Sequence, residues 1–572
     1  MKYRWSIAPP QPLLVERLAG ELKVSLLVAA CLVNRGQGAP ESAFAYLQPR
    51  LKNLADPFLL PNLRGAVDRL FATRDRGEPL VIFGDYDVDG VTSTALLLEV
   101  FRALGWKADA YLPSRLEEGY GLSRDGVEKC LAKFPVPLLL AVDCGSTAVE
   151  TIAWLRERGV EVIVLDHHQV SSPAPAAVAL VNPQLGGAGE PDFRELCSAG
   201  LAFKLAHALV KRGRELGLPA AEQYDLRPLL DLVALGTVAD LVPLTGENRI
   251  LVSAGLERLS ATARPGLVAL KRVAQVSDPV DVFAVGFQLA PRLNAAGRLE
   301  NAEAALHLLH AADADEAERL AHELDARNRE RRDIERSMAE QVIGTVRSRF
   351  DPARDFAIVE GELLWHIGVV GIVASRVLRE FYRPTLILGG DANEFRGSGR
   401  SIEGFDLAAA LRQCDDLLLR HGGHAMAAGI SIRPDKVDAL RARLNQLVQQ
   451  TLTRDQLQPL LRLDAELAPG ELTLELLEAL GALQPFGQSN PAVQFALRGL
   501  RLQRPPQRMG AAQQHVKFWA GDGRAIYEVV WWRAGDATLP GGGFDLACAP
   551  EINEFNGRRT IQLKLLDWKP AG

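Results

Sequence analysis

Three short apolar runs that each end in acidic or imidazole side chains constrain the fold of this chain more than any other feature. The runs cover residues 80–83, 138–142 and 161–165. Helical patterns alternate with them, which is typical of the parallel strands of an α/β sheet. In such sheets ligands bind beyond the carboxyl ends of the strands. The sequence therefore predicts a parallel sheet with its polar groups gathered at one edge.

The polar groups that follow these runs are mostly carboxylates, which repel one another unless cations neutralise them. They are Asp85, Asp87 and Asp89 after the first run, Asp143 after the second, and Asp166, His167 and His168 after the third. Asp240, after the apolar stretch 235–239, is a further candidate ligand. A mixed carboxylate and imidazole set without thiolates suits Mn²⁺ or Mg²⁺ better than Zn²⁺ or Cu²⁺. We predict a metal cluster.

Two simpler interpretations of the first acidic motif are available. Asp85-x-Asp87-x-Asp89-Gly90 resembles the start of an EF-hand loop, but the twelfth residue is Leu96 instead of Glu and the motif follows a strand. A solvated acidic turn explains one motif alone, but not acids at three strand ends. In the third motif, adjacent residues of an extended segment point to opposite sides. One of the two histidines could then bind metal while the other faces a substrate.

Two metal ions bridged by a carboxylate are a known arrangement for in-line attack on phosphate esters. The sequence contains no Gly-x-Ser-x-Gly elbow, which argues against acyl transfer. It also contains no Gly-x-x-x-x-Gly-Lys-[Ser/Thr] loop, which argues against an ATP-driven motor. Phosphoester hydrolysis is the reaction that these patterns favour.

Length, charge and cysteine usage limit the class of protein. A chain of 572 residues is too long for one hydrophobic core, so we expect several domains. The net charge of -6 means that a polyanion must be held by a local groove. The six cysteines form no CxxC pair, which fits a reducing cytoplasm. The apolar run 24–33 is too short to span a bilayer, and we expect no membrane partner.

The chain is expected to be a multidomain α/β protein. We predict an N-terminal helical segment, a catalytic parallel-sheet domain, a long solvent-exposed connecting helix, a second α/β domain and a C-terminal β-barrel. Their limits are 1–60, 61–300, 301–350, 351–455 and 456–572. The barrel follows from alternating runs and from the hairpin signal Asn556-Gly557.

The motifs resemble those of a known superfamily. Asp85-Tyr-Asp-Val-Asp-Gly90, Asp143, Asp166-His-His168 and Asp240 look like the four motifs of the DHH phosphoesterases. Nearly the whole chain is similar to the RecJ family of bacterial single-strand-specific DNA exonucleases. Supporting segments lie at 197–200, 291–298, 397–401, 421–429 and 484–487. The resemblance implies a DHH domain, a DHH-associated domain and an OB-fold-like barrel.

The resemblance also implies roles for the acids and histidines. Asp87 would bind a first metal ion, supported by Asp85, and Asp89 a second ion. Asp143 would bridge the two ions, and His167 and Asp240 would complete the second site. His168 would contact the scissile phosphate, with Asp166 beside it in the catalytic set. The chain departs from many DHH enzymes at Phe83, where they carry a histidine.

Further residues are implied to contact nucleic acid. They are Arg292, Asn294, Arg298, Arg376, Arg400, Ser401 and His424. In the barrel, Lys517, Phe518 and Trp519 could bind single strands by charge and stacking, or could belong to the barrel core.

The function that the resemblance implies is a two-metal 5′→3′ exonuclease that degrades single-stranded DNA to 5′-mononucleotides in recombination and repair. Implied partners are single-stranded DNA, single-strand-binding protein and a RecQ-type helicase, and a monomer is expected. A catalytically inactive single-strand-binding scaffold is the alternative, although the acids that activity needs are present. A small-substrate DHH phosphodiesterase is another, although the extra β domain favours a polymer.

Overall fold

A computed structural model describes residues 3–114, 118–119, 121–186, 193–299, 302–363, 365–535 and 537–571, with the side chains of 298 and 299 excepted. The chain divides into two compact units. The catalytic unit comprises Ala45–Arg331 and Gln484–Pro491. The accessory unit comprises Met1–Phe44, Arg332–Leu483 and Ala492–Gly572. Within the described residues, none of the helices combines the length and the apolar character that crossing a bilayer requires.

The elements are numbered along the chain. The strands are β1 (Arg4–Ile7), β2 (Pro79–Gly84), β3 (Lys107–Tyr111), β4 (Leu138–Val142), β5 (Glu161–Leu165), β6 (Ala179–Val181), β7 (Ile358–Leu363), β8 (Thr385–Gly390), β9 (Phe395–Arg400), β10 (Leu418–His424), β11 (Ala427–Ile432), β12 (Leu460–Leu463), β13 (Ala465–Leu467), β14 (Phe495–Met509), β15 (His515–Gly521), β16 (Ile526–Trp531), β17 (Gly543–Phe555) and β18 (Arg558–Pro570). The helices are α1 (Pro12–Leu22), α2 (Leu26–Asn34), α3 (Pro40–Leu47), α4 (Leu63–Asp75), α5 (Val88–Leu104), α6 (Arg124–Lys133), α7 (Val149–Glu157), α8 (Ser198–Glu215), α9 (Pro219–Gln223), α10 (Leu230–Ala239), α11 (Gly246–Ser260), α12 (Pro265–Val273), α13 (Val282–Ala284), α14 (Ala290–Leu299), α15 (Glu303–His310), α16 (Ala314–Arg349), α17 (Val370–Phe381), α18 (Leu407–Arg412), α19 (Val437–Thr451) and α20 (Leu474–Leu480).

The catalytic unit is built on a parallel sheet with the strand order β3-β2-β4-β5-β6, as the three apolar runs predict. Gly84 pairs with Val142, and Val142 pairs with Leu165. The residues that follow these three positions therefore emerge at the same level of one sheet edge. Core side chains cover both faces of the sheet, which explains why its strands are continuously apolar.

A second sheet lies in the accessory unit, with the order β10-β11-β9-β8-β7. Its strands β7 and β8 are parallel and the others antiparallel. The 36-residue helix α16 confirms the predicted long helix. The prediction that this helix is exposed to solvent is wrong, because the helix buries one face along its length. Leu320 and Leu324 lie in the core of the catalytic unit, and Met338, Val342 and Val346 are buried in a core with Val373 of α17. The four-residue spacing of these side chains forms one apolar stripe, which packs instead of facing water.

The C-terminal strands form a closed barrel, as predicted, with the order β13-β14-β15-β16-β18-β17 and closure between β14 and β17. Phe518 is fully buried in its interior, whereas Lys517 forms an ion pair with Glu528 at 2.6 Å. Phe518 is therefore a core residue and not a stacking platform. The N-terminal segment contains a strand in addition to its predicted helices, since β1 pairs in parallel with β12.

Candidate metal centre

The first acidic motif forms the turn between β2 and α5. Asp87 caps the helix, and its Oδ1 accepts hydrogen bonds from the backbone N–H groups of Asp89 at 2.9 Å and Gly90 at 3.1 Å. A Cβ on Gly90 would lie 2.4 Å from the carbonyl oxygen of Asp85, so only glycine allows this close turn. The backbone N–H of Val88 donates to Oδ1 of Asn294 at 3.2 Å. The turn that carries the acids is thus fixed from both sides.

Asp89 is buried and faces the N-terminus of α8. Its two carboxylate oxygens accept hydrogen bonds from the backbone N–H groups of Ser198 at 2.7 Å and Ala199 at 2.8 Å. Such N–H groups are unpaired within a helix and favour a negative charge. The same Ser198 donates its hydroxyl to Oδ1 of Asp143 at 2.9 Å. One helix terminus therefore orients two acids from different strands.

Asp143 follows β4 in a left-handed backbone conformation, with a φ of 63°. Its backbone N–H donates to the carbonyl of Leu165 at 3.1 Å, which ties it to the end of β5. Non-glycine residues adopt this conformation infrequently, and it occurs more often at functional sites. The turn directs a buried carboxylate towards the edge of the sheet instead of continuing the strand.

His167 joins the acids at their centre. Its Nε2 lies 3.4 Å from Oδ1 of Asp143, 3.7 Å from Oδ2 of Asp240 and 3.9 Å from Oδ2 of Asp89. Asp240 reaches this point from the C-terminal end of α10. The ligand atoms of Asp89, His167 and Asp240 lie within 4.8 Å of one another, a spacing that can hold one ion.

The electrostatics of these acids match a cation site. Burial and the charge of Asp87 raise the pKa of Asp89 to about 6. Burial and the charges of Asp89 and Asp87 raise the pKa of Asp240 to about 9. The pKa of Asp143 is raised well above its usual value, first by burial and then by the charge of Asp89. A divalent cation offsets both the cost of burying these negative charges and their mutual repulsion. A set of oxygen and imidazole donors suits Mn²⁺ or Mg²⁺.

Asp166 and His168 form a pair that adjoins this cluster, since ligand atoms of Asp143, Asp166, His167 and His168 also lie within 4.8 Å of one another. His168 Nδ1 lies 2.7 Å from Oδ1 of Asp166, which also accepts the backbone N–H groups of His167 and His168. Burial alone would lower the pKa of His168, but the hydrogen bond to Asp166 and its charge outweigh burial and raise this pKa to about 9. Burial likewise opposes the ionised form of Asp166, yet the contacts with His168 hold its pKa below the usual range. Asp166 therefore fixes the orientation of the His168 ring and stabilises its protonated form.

The side chains of Phe83 and Asp85 differ in their surroundings. Phe83 is fully buried and stacks on Tyr111 with ring centroids 5.6 Å apart, so this position contributes to the core and supplies no ligand. Asp85 is buried, and its Oδ1 accepts the backbone N–H of Tyr86 at 2.7 Å.

Two of the predicted nucleic-acid residues in the catalytic unit have internal contacts. Arg292 forms an ion pair with Asp325 at 2.9 Å and donates to the carbonyl of Gln288 at 2.6 Å. Asn294 binds the backbone of the first acidic motif, a role that the sequence analysis did not identify. The side chain of Arg298 lies outside the described residues. Their contacts with nucleic acid stay a prediction.

The accessory unit carries the other predicted contacts. Arg400 and His424 both pair with Ala427 from opposite sides, so adjacent strands bring them to the same end of the sheet. Arg400 donates to Ser398 Oγ at 2.8 Å, and Arg376 forms an ion pair with Glu335 at 2.7 Å.

Ser401, the neighbour of Arg400 in this set, is differently placed. It is buried, and its hydroxyl donates to the carbonyl of Phe405 at 2.7 Å. His424 is exposed.

Models of three families match this chain. The DHH family, N-terminal domain, matches residues 79–237, the DHHA1 domain matches 355–450, and the RecJ OB domain matches 463–567. These matches cover the parallel sheet with its acids, the second sheet and the barrel, respectively.

Curated relatives extend the similarity over the whole chain. The single-stranded-DNA-specific exonuclease RecJ of Bacillus subtilis is 37% identical over 99% of this chain and 71% of its own length. Its counterpart from Dickeya dadantii is 39% identical over 90% of this chain and 92% of its own length. The crystal structure of RecJ in complex with Mn²⁺ from Thermus thermophilus superposes with a TM-score of 0.85 at 31% identity, covering 100% of this chain and 80% of that one. The corresponding Mg²⁺ complex gives 0.79 at 31% identity, over 100% and 79%.

Proposed function

Because the chain belongs to the RecJ family of DHH phosphoesterases, we propose that it is a metal-dependent 5′→3′ exonuclease that degrades single-stranded DNA to 5′-mononucleotides. One observation carries the proposal. Carboxylates from separate elements converge on His167. Burial and mutual repulsion raise their pKa values, as expected for a site whose negative charges are balanced by divalent cations. The alternative of an inactive scaffold is not favoured, since such a protein need not keep this set.

The proposed ligand set follows the geometry. Asp89, His167 and Asp240 hold one Mn²⁺ or Mg²⁺ ion, and their mutual distances support this assignment. Asp87, supported by Asp85, would hold a second ion, and Asp143 would be shared between the two. When bound, the ions lower the pKa of an attacking water and neutralise charge on the phosphate and the departing oxygen.

The reaction is hydrolysis of the first phosphodiester bond of the strand. Water attacks the phosphorus between the first and second nucleotides, the bond from phosphorus to the 3′-oxygen breaks, and the 3′-oxygen takes up a proton. The products are a 5′-mononucleotide and a strand that again carries a 5′-phosphate. The enzyme can then repeat the same step on the shortened strand.

We assign His168 to the scissile phosphate. Its Nδ1 lies 2.7 Å from Asp166, and we assign Nε2 as the donor towards substrate. The side chain is about one-third exposed, at 32%, so a phosphate can reach it. Its raised pKa keeps the imidazole protonated at neutral pH, and a charged donor stabilises the negative charge that develops on the phosphate oxygens.

The remaining assignments concern the path of the strand. We propose that the guanidinium and imidazole groups of the accessory unit bind the backbone or its 5′ end, and that residues of α14 bind it elsewhere. These residues are Arg376, Arg400, Ser401 and His424, and Arg292, Asn294 and Arg298. The hydroxyl and the backbone N–H of Ser401 donate to the carbonyls of Phe405 and Met426, so the support for its role is its place next to Arg400.

Partners, location and domain limits belong to the same proposal. We infer that the protein acts as a cytoplasmic monomer in recombination and repair, with single-strand-binding protein and a RecQ-type helicase as partners. The limits 1–60, 61–300, 301–350, 351–455 and 456–572 are proposed as the functional segments. The residues matched by the three family models fall inside the second, fourth and fifth of them, which supports this division.

The proposal is tested with oligonucleotides labelled at either end. Single- and double-stranded forms are incubated with the full chain in Mn²⁺, Mg²⁺ or EDTA. We expect mononucleotides to be released from the 5′ end of single strands only, in either metal and not in EDTA. Asp143→Ala should abolish the release, while Asp68→Ala, at an exposed position of α4, should not. Tight binding of single strands without cleavage in any metal would refute the proposal and favour the scaffold.

A further inference from the structure

The Gln484–Pro491 segment belongs to the catalytic unit although it lies between α20 and β14 in the chain. It forms a tight turn in which the backbone N–H of Gly487 donates to the carbonyl of Asn490 at 2.8 Å, and the N–H of Asn490 donates back at 3.2 Å. The side chain of Asn490 is fully buried, and its Nδ2 donates to the carbonyl of Pro485 at 2.8 Å. The segment is therefore held in one conformation.

This turn contacts the loop that follows the metal ligand Asp240. The backbone N–H of Leu244 donates to the carbonyl of Gln488 at 2.9 Å. The side chain of Leu244 lies over Gly487, where an added Cβ would stand 2.6 Å from its Cδ1 and 3.2 Å from its Cγ. A larger residue at position 487 would require the Leu244 side chain to shift.

A second attachment fixes the start of the segment. Arg249 of α11 is buried, and it donates to the carbonyl of Gln484 at 2.5 Å and to that of Tyr46 at 2.8 Å. Its guanidinium lies over the ring of Tyr46, 3.8 Å from the centroid. A buried charge held by two carbonyls and an aromatic face is costly to displace, so the segment and α11 behave as one body.

The loop between α10 and α11 is short. Asp240 ends α10, where its backbone N–H donates to the carbonyl of Gly236 at 2.9 Å, and α11 begins at Gly246. Asn248 of α11 donates to the carbonyl of Pro243 at 3.0 Å. The turn therefore holds Leu244 and α11 holds its neighbour Pro243, so the loop that leaves Asp240 is attached on both sides.

We propose that the Gln484–Pro491 segment, through Gly487 and Leu244, positions Asp240 for metal binding. This inference rests on the proposed function, in which Asp240 is a metal ligand. It assigns a positioning role to the Gln484-Pro-Phe-Gly487 motif, which takes no direct part in the reaction. Groups that orient a ligand affect metal affinity by roughly 10- to 100-fold when they are removed.

The test is Mn²⁺ binding to the full chain, measured from the electron paramagnetic resonance signal of the free ion. Gly487→Ala should lower the affinity for one of the two ions by about 10-fold or more. Its thermal unfolding in EDTA should stay close to that of the wild type, which separates positioning from loss of fold. The matched control is Gly481→Ala, because a Cβ there meets no atom within 4 Å and its φ is not positive. The control should bind both ions normally.

A second background keeps the inference testable if Gly487→Ala does not fold. Leu244→Val removes the Cδ methyl groups that the new Cβ would strike, so adding Gly487→Ala to it should cost little further affinity. Equal Mn²⁺ affinity of Gly487→Ala and wild type, or the same loss in both backgrounds, would overturn the inference alone. Absence of Mn²⁺ binding by the wild type would overturn the proposed function and this inference together.

Discussion

Asp240→Asn should stabilise the metal-free protein while abolishing its activity. Burial and neighbouring carboxylates raise the pKa of Asp240 from 3.8 to about 9. Between these two values the folded protein keeps a proton that the unfolded chain has released. The free energy of unfolding of the wild type therefore falls as the pH rises through this interval. Asparagine is neutral in the folded and the unfolded chain, so the variant lacks this decrease in the free energy of unfolding.

The size of the effect follows from the same interval. Each pH unit inside it costs about 1.4 kcal/mol, so the wild type should lose about 3 kcal/mol relative to the variant between pH 6 and pH 8. For a domain somewhat smaller than the catalytic unit, 1 kcal/mol corresponds to about 2–4 °C in Tm. The catalytic unit is larger, so its Tm changes by about 2 °C or less per kcal/mol. We expect the Tm of Asp240→Asn to exceed that of the wild type increasingly over this range, with the gap widening by about 5 °C.

The assay is differential scanning calorimetry in EDTA at pH 6, 7 and 8, repeated with saturating Mn²⁺. The added ion should reverse the order, because the wild type gains the stability of a bound cation and the variant has lost a ligand. Asp68→Asn, at an exposed position, should show no such pH-dependent gap. A gap in EDTA that stays constant or narrows as the pH rises would refute the reasoning, whatever the activity of the variant.

Three further outcomes follow from the geometry. Asp166→Asn should lower the pKa of His168 from about 9 towards 6.5. The ratio of its kcat/KM to that of the wild type should then be near unity at about pH 5.5 and fall about 30-fold by pH 8, whereas a ratio independent of pH would contradict the role of His168. Gly90→Ala would place a Cβ against the backbone of Asp85, so it should cost about 1–3 kcal/mol of stability and abolish cleavage, as measured by calorimetry and nuclease assay; normal cleavage would contradict the account of this turn. Arg400→Gln should raise KM for a 5′-phosphorylated single strand by about 10-fold or more and reduce the slope of log KM against log salt by about 1; an unchanged slope would contradict a phosphate contact.

Two control variants accompany these changes. Arg354→Gln alters a guanidinium whose side chain is 86% exposed, so it should leave KM and its salt slope unchanged. Gly65→Ala adds a Cβ on α4 that meets no atom within 4 Å, so it should preserve both stability and cleavage.

The sheet and the convergence of the acids at one of its edges could be predicted because strand period and strand ends are local properties of sequence. Gly84, Val142 and Leu165 stand in register in the structure, and a run of apolar residues with an acid at its end is enough to imply that alignment. The burial of Phe518 and of the Met338–Val346 stripe could not be settled in the same way. Alternation and four-residue spacing indicate which side chains share a face, but not whether another element covers that face.

The contacts that hold the acids in place could also not be predicted from the sequence. Ser198 lies 109 residues from Asp89, yet its backbone N–H is one of the two donors to that carboxylate. Asn294 binds Val88 across 206 residues. Backbone donors carry no side-chain signature, and an asparagine near an arginine-rich motif predicts a nucleic-acid contact as readily as a structural one. Only the folded chain separates these roles.

Contacts within the chain fix the backbone that carries each acid of the cluster. Asp89 receives two backbone N–H groups from α8, and these lower its pKa, but burial and Asp87 still raise it. Asp143 keeps a left-handed backbone, and Asp240 ends a helix whose following loop is tied down at Leu244. The burial of the acids and the left-handed backbone of Asp143 cost stability without a cation, whereas the N–H donors to Asp89 offset part of that cost. A protein organised in this way should be least stable without metal at alkaline pH, where the acids are most strongly opposed, and should gain most from Mn²⁺ under those conditions.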